Sequence, residues 1–184
     1  MPQVVAVCGM PGSGKGEFAA MLVSAGVPVV SMGDMIRAEV RRRGLEEAPN
    51  VFGEVAASLR AAHGADVLAV RLCDRVDELL TLHPLVLIEG LRGTAEQAVF
   101  SSRWGDNYRT VAIVADADTR FQRIQQRGRS EDGDRAAFEA RNQRETGWGL
   151  EHLIDGADDT LENETDLASF HVNCHAWLDR LLDA

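Results

Sequence analysis

Lysine is nearly missing from this sequence. Its 184 residues carry eighteen arginines but only one lysine, Lys15. Cysteine is scarce too: Cys8, Cys73 and Cys174 are odd in number and scattered. That excludes a disulfide framework or a zinc site read from spacing, and it argues for a reducing cytoplasm. No apolar run is long enough to span a bilayer. The N-terminal stretch MPQVVAVCGM has no basic region followed by a long apolar one, so no secretory signal is expected. Internal repeats, low-complexity tracts and Pro/Gly/Ser linkers are also lacking, and 184 residues suit one domain with a real core.

Acidic residues are abundant: 29 Asp and Glu against 19 Lys and Arg, a formal charge of −10. Such a surface repels nucleic acid and anionic membranes, so neither is expected as a partner. Acidic excess with almost no lysine also resembles proteins of salt-adapted organisms, because carboxylates hold their hydration in salt that screens self-repulsion. A genome rich in arginine codons is the competing explanation.

Short apolar runs alternate with amphipathic stretches. Val4 to Cys8, Val27 to Ser31, Pro84 to Ile88 and Thr110 to Ala115 read as buried parallel strands, and Asp159 to Glu162 as a short fifth. Helices are predicted over 17–25, 34–43, 51–62, 65–80, 94–101, 118–126, 136–145 and 167–182. The fourth carries Val67, Val70, Leu72, Val76, Leu79 and Leu80. The last offers Leu167, Phe170, Trp177, Leu178 and Leu181 to the core. Residues 128–134 read as a charged loop. The alternation implies an α/β fold: a five-stranded parallel sheet covered on both faces, a three-layer sandwich.

The lone lysine stands in Gly9-Met10-Pro11-Gly12-Ser13-Gly14-Lys15, which matches G-x-x-x-x-G-K between a buried strand and a helix. The glycines let successive N–H groups turn toward phosphate oxygens, and the helix N-terminus adds positive charge. Lysine supplies a compact point charge that arginine's planar fork does not reproduce. The loop and the residues after it, Gly16 and Glu17, are therefore the candidates for binding ATP. The Ser or Thr that usually follows the lysine and binds magnesium is replaced by Gly16.

With a second glycine after the lysine, the loop resembles that of adenylate kinases. Three further segments match in order. Ser31-Met32-Gly33-Asp34-Met35-Ile36-Arg37 resembles S-T-G-D-M-x-R, which in that family binds the acceptor nucleotide. Ile88-Glu89-Gly90-Leu91-Arg92 resembles D-G-F-P-R, whose acid orders magnesium-bound water and whose arginine holds the acceptor phosphate. Arg123 to Arg127 resembles the arginine pair that opens the lid. Ala157-Asp158-Asp159-Thr160-Leu161-Glu162-Asn163 resembles a segment of dephospho-coenzyme A kinases that lies near the ATP adenine. Nearly the whole chain resembles an archaeal family of small P-loop proteins related to these kinases. The resemblance implies a P-loop sandwich of the nucleoside-monophosphate-kinase type, with an acceptor-binding helical insert over about 32–82 and a short lid over about 127–145. It implies Lys15, Arg37, Arg92, Arg123, Arg127, Arg129 and Arg141 as phosphate-handling residues, Glu89 at magnesium through water, and Asn163 near the nucleotide. Met32 stands where the family's threonine touches the acceptor base, and Glu89 replaces an aspartate.

Phosphoryl transfer needs positioning and charge neutralisation, and this acidic chain supplies cations for it from several segments. Each has a plainer reading. Arg41, Arg42 and Arg43 suit a solvated helix face. Arg123 and Arg127 suit a surface pairing with Asp116 or Asp118, and Arg129 and Arg141 one with Glu131 or Asp132. Trp104, Trp148 and Trp177 suit core or lid-hinge packing, and the five histidines show no metal spacing. Three functions compete. The first is a kinase moving the ATP γ-phosphoryl to a small acceptor, a nucleoside monophosphate in first place. The second is a dephospho-coenzyme A kinase-like enzyme with a hydroxyl acceptor, for which Asp34 is the candidate base. The third is an ATP-binding regulator or slow ATPase.

Overall fold

The structure, a computed structural model, describes residues 3–47, 49–128 and 133–183. Five strands form one parallel sheet: β1 (Gln3–Cys8), β2 (Val29–Ser31), β3 (Leu85–Glu89), β4 (Tyr108–Val114) and β5 (Asp159–Glu162), in the order β2-β3-β1-β4-β5. Parallel neighbours cannot be joined by tight turns, so each connection crosses a face and carries helices with it. These are α1 (Lys15–Ser24), α2 (Met32–Arg42), α3 (Pro49–His63), α4 (Val67–Leu80), α5 (Thr94–Trp104), α6 (Ala117–Arg127), α7 (Arg135–Thr146), α8 (Leu150–Asp155) and α9 (Leu167–Leu182).

Successive strand residues point to opposite faces, and both faces here are apolar. Val4, Ala6 and Cys8 of β1 join Val86, Ile88 and Ala112 on one face, under α2, α3, α4, α5 and α8. Val5 and Val7 join Leu85, Leu87, Val111, Ile113 and Leu161 on the other, under α1 and α9. There Phe18 meets Trp177 edge-on, with ring centroids 5.2 Å apart. The result is a three-layer sandwich whose central strand, β1, runs straight into the glycine-rich loop.

The strands fall where the apolar runs placed them, with ends shifted by a residue or two. α2 starts at Met32 rather than Asp34, because the Ser31 hydroxyl accepts from the Gly33 N–H at 3.1 Å and caps it. α8 was not expected. Its six residues lie between glycines in a polar stretch, with Leu150 and Leu153 buried in the core and Ile154 packed against it. One expected core residue faces outward, Leu167, 51% exposed at the start of α9, and Val70 on α4 is exposed as well. Among the described residues, no helix is long and apolar enough to cross a membrane.

Candidate functional site

In an open parallel sheet the carboxyl edge is where ligands bind, and β1 ends there between β3 and β4. The loop after Cys8 turns back on itself to start α1. Its last residue, Gly14, holds a left-handed backbone (φ 108°), and a Cβ there would lie 2.2 Å from Asn163 Nδ2. Only glycine fits both demands. Lys15 folds over the loop: its Nζ donates to the Gly9 carbonyl at 2.6 Å and to that of Met10 at 3.0 Å. Loss of hydration pulls its pKa from 10.5 down to about 8; Glu145 opposes the shift, and Arg92 and Arg141 add to it. Pro11 is buried, and its carbonyl accepts from Arg120 at 3.0 Å. Ser13 is buried, while Gly16 and Glu17 are exposed at the cleft rim.

Asn163, just after β5, is buried against this loop. Its Nδ2 donates to the Ser13 carbonyl at 2.8 Å, and its own carbonyl accepts from Arg123 Nη2 at 2.6 Å. A lining residue of the cleft, Arg123 also has a buried Nη1 with no partner among the described residues. A desolvated guanidinium N–H beside a phosphate-binding loop fits an anionic ligand.

Register places the other strand ends beside the loop: Glu89 lies opposite Val7 on one side and Ser31 on the other. Glu89 is half-buried and faces a cleft of ≈ 1580 Å³ that runs from the loop past α2, α3 and α7. Arg37 and Asp34 stand on its α2 wall, both exposed and joined at 2.6 Å. Arg92 follows β3. The backbone N–H groups of Arg92 and Gly93 both donate to Glu96 Oε2 at 3.2 Å, and Arg60 of α3 lies 3.5 Å from the same buried carboxylate. The loop bearing Arg92 is thereby fixed from α5.

The remaining cations come from α6 and α7. Arg127 and Arg141 line the cleft with Arg123. Arg141 Nε donates to Glu145 Oε1 at 3.1 Å, and Arg92 Nη1 lies 3.6 Å from that same oxygen. Asp116 caps α6 through Thr119 and Asp118 pairs with Arg135, whereas Arg123 donates to Asn163. Arg129, and the loop expected over 128–134 apart from its ends, lie outside the described residues. The structure thus gathers Lys15, Arg37, Arg92, Arg123, Arg127, Arg141, Asp34, Glu89 and Asn163 around one cleft.

Four features escaped the sequence. Glu145 is a buried acid among the cations, and its i,i+4 spacing from Arg141 is the signal that could have revealed it. Glu96 shows no signal until the fold turns α5 under the Arg92 loop. Arg120 bridges the Pro11 carbonyl and Asn142 of α7, at 3.0 and 3.1 Å. Trp148 is 42% exposed in the cleft wall, with the guanidinium groups of Arg60 and Arg144 about 6 Å from its ring.

Among the described residues, no group of three His, Cys, Asp or Glu could hold a metal. The site still suits magnesium, which takes most of its ligands from substrate phosphates and water and needs only one or two carboxylates. Glu89 is the carboxylate at the strand end.

The family model described as AAA domain matches residues 8–139, from the last residue of β1 into α7. A UPF0200 protein of Halobacterium salinarum is 39% identical over 169 residues, 92% of this chain and 88% of that one. The chain therefore belongs to the AAA-domain family of P-loop proteins and to the UPF0200 group, whose matching members include halophilic and other archaea. Among solved structures, TT1252 from Thermus thermophilus superposes with a TM-score of 0.67 at 24% identity, covering 98% of both chains. Shikimate kinase from Acinetobacter baumannii, in complex with shikimate, superposes at 0.59 and 14% identity, covering all of this chain and 94% of its own. These likenesses establish the fold: the protein has a P-loop kinase-like architecture.

Proposed function

We propose that the protein is an ATP-dependent phosphotransferase that moves the γ-phosphoryl group to a small acceptor, with a nucleoside monophosphate as first choice. The observation that carries this reading is the gathering of cations from the P-loop, α2, the β3–α5 loop, α6 and α7 around one cleft, on a protein that is acidic elsewhere. Donor polyphosphate and acceptor phosphate repel each other, so joining them requires cations from several directions.

In this reading the loop N–H groups and Lys15 hold the ATP phosphates. Arg37 and Arg92 hold the acceptor phosphate from opposite elements. Arg123, Arg127, Arg129 and Arg141 belong to a short lid over about 127–145 and its hinge, which excludes water on closing. The helices over about 32–82 form the acceptor insert, and Asn163 keeps the loop seated beside the nucleotide. Glu89 would help hold magnesium through water, and the ion would supply charge neutralisation at the phosphates. The partners are small nucleotides.

A second reading has its own support. Asp34 stands in the cleft wall, aligned by Arg37 at 2.6 Å. That placement suits a base toward a hydroxyl acceptor of the dephospho-coenzyme A kinase kind.

The test is a panel of nucleoside monophosphates, dephospho-coenzyme A and small alcohols, with ATP and magnesium, at low and high KCl. ADP release that depends on a monophosphate supports the first reading. Release that depends on a hydroxyl compound supports the second, and Asp34→Asn should then slow turnover by about two to four orders of magnitude. Hydrolysis indifferent to every acceptor would overturn both in favour of an ATPase or regulator.

A further inference from the structure

We propose that Glu145 is a built-in counter-anion of the phosphate site, balancing Lys15, Arg92 and Arg141 while the site is empty and giving way to a phosphate group of the arriving ligand. The proposal rests on the phosphate-binding part of the reading above and not on the identity of the acceptor.

Glu145 sits in the last turn of α7, with its side chain 3% exposed. One oxygen, Oε1, serves two guanidinium groups from different elements: Arg141 of α7 at 3.1 Å and Arg92 of the β3–α5 loop at 3.6 Å. Lys15 feels the same carboxylate as its strongest favourable charge. A carboxylate this buried is costly unless paired, and three cations converging without an anion are costly as well. Each reduces the other's cost in the empty protein.

That balance does not survive a polyphosphate. The cations that hold Glu145 are the ones that would neutralise phosphate, and a carboxylate left among them would face the phosphate oxygens as a like charge. The carboxylate engages Arg141 through Nε and Arg92 through one Nη, so neither guanidinium is held by a two-bond fork. A phosphate carries more charge and more acceptor oxygens, and it can take the bidentate geometry that the carboxylate leaves unused. Binding is then an exchange of anions. The pair it breaks is also a tie between α7 and the β3–α5 loop, so ligand arrival releases α7 from its resting contact.

Inorganic phosphate is the probe, in thermal-shift and calorimetric titrations with chloride as the only other anion. Glu145→Gln should lower the melting temperature of the empty protein, recover it as phosphate is added, and bind phosphate about tenfold tighter than the parent. Unchanged or weaker phosphate binding in Glu145→Gln would make the residue a buttress and overturn the proposal. So would a loss confined to kcat, with one limb of its pH profile removed, which marks a general base. Should Glu145→Gln not fold in any buffer, Glu145→Asp decides, because its carboxylate is one methylene shorter and holds the arginines less well. Phosphate should then bind about threefold tighter, and an unchanged affinity overturns the proposal. ATP binding by the parent and by Lys15→Ala separates the two claims. ATP binding that is lost in Lys15→Ala, with phosphate indifferent to Glu145, leaves the nucleotide reading standing without the exchange. Tighter phosphate in Glu145→Gln with no ATP binding by the parent leaves the exchange standing without the nucleotide reading.

Discussion

At the scale of single residues, Lys15 shows how a fold prepares a charge for a ligand. Its ammonium has exchanged water for two carbonyls of its own loop, and it lies near two arginines. Both lost hydration and like charge favour the neutral form, which brings the pKa to about 8. Phosphates favour the charged form and raise it again. ATP affinity should therefore be highest below pH 8 and fall as pH rises beyond it, with protons taken up on binding in that range. Calorimetry at about pH 9 in buffers of different ionisation enthalpy reads that uptake directly; no uptake would mean that Lys15 does not meet phosphate. Stability has a matching sign. The unfolded lysine titrates at 10.5 and the folded one at about 8, so between these values the unfolded chain binds more protons and this group's contribution to stability rises with pH. Below pH 8 its full cost remains. Lys15→Met should thus raise the melting temperature of the empty protein at neutral pH while abolishing ATP binding.

At the scale of elements, the P-loop is seated by the end of β5 as much as by its own glycines. Asn163 satisfies the Ser13 carbonyl and fills the space that a Cβ on Gly14 would need. Asn163→Ala should leave that carbonyl unpaired, at about 1–3 kcal/mol, and weaken ATP binding. Gly14→Ala should cost at least as much, through a strained left-handed backbone and the collision with Asn163. The double variant should cost less than the sum, because removing the amide clears the collision and leaves only the strain. Chemical denaturation of the three variants reads the difference; strict additivity would mean that the two residues act independently. The loop itself was legible in the sequence because its demands are local: a strand, glycines at fixed intervals, a lysine, a helix. β1 and β3 were legible because both faces of the sheet are buried there, so they read as apolar runs, whereas β5 buries only Leu161 of its four residues. What escaped depends on residues far apart in the chain. Glu96 gains its role only when α5 turns back beneath the Arg92 loop. Leu167 reads as core because α9 is amphipathic, yet it falls at the cleft rim where the helix begins. α8 is too short for periodicity to reveal. Asn163 was expected near the nucleotide, and nothing in its own segment shows that its amide would reach the Ser13 carbonyl.

At the scale of the whole molecule, two kinds of charge respond to salt in opposite ways. The chain carries a formal −10, and its surface carboxylates repel one another over distances that salt screens. The exposed Glu47, for one, is already drawn below its ordinary pKa by its neighbour Arg41. Such exposed pairs contribute little each, and the net repulsion remains. The cleft has the reverse character, with cations gathered along its walls. From about 0.1 M to about 2 M KCl the Debye length shrinks from about 10 Å to below 3 Å. The melting temperature of the empty protein should rise across that range as surface repulsion is screened, while ATP affinity falls because the same ions weaken the cleft's attraction for phosphate. Neutral osmolyte at matched water activity separates screening from general exclusion effects: it should raise the melting temperature without lowering ATP affinity. In concentrated salt a phosphate ligand would be held through the contacts that salt screens least, those made by the enclosed loop N–H groups and Lys15 rather than by the exposed Arg37. Lys15→Ala should remove most of the ATP affinity that persists at high KCl, whereas Arg37→Ala should leave that residue of binding nearly intact. Equal losses from the two variants at high salt would contradict this division between enclosed and exposed cations.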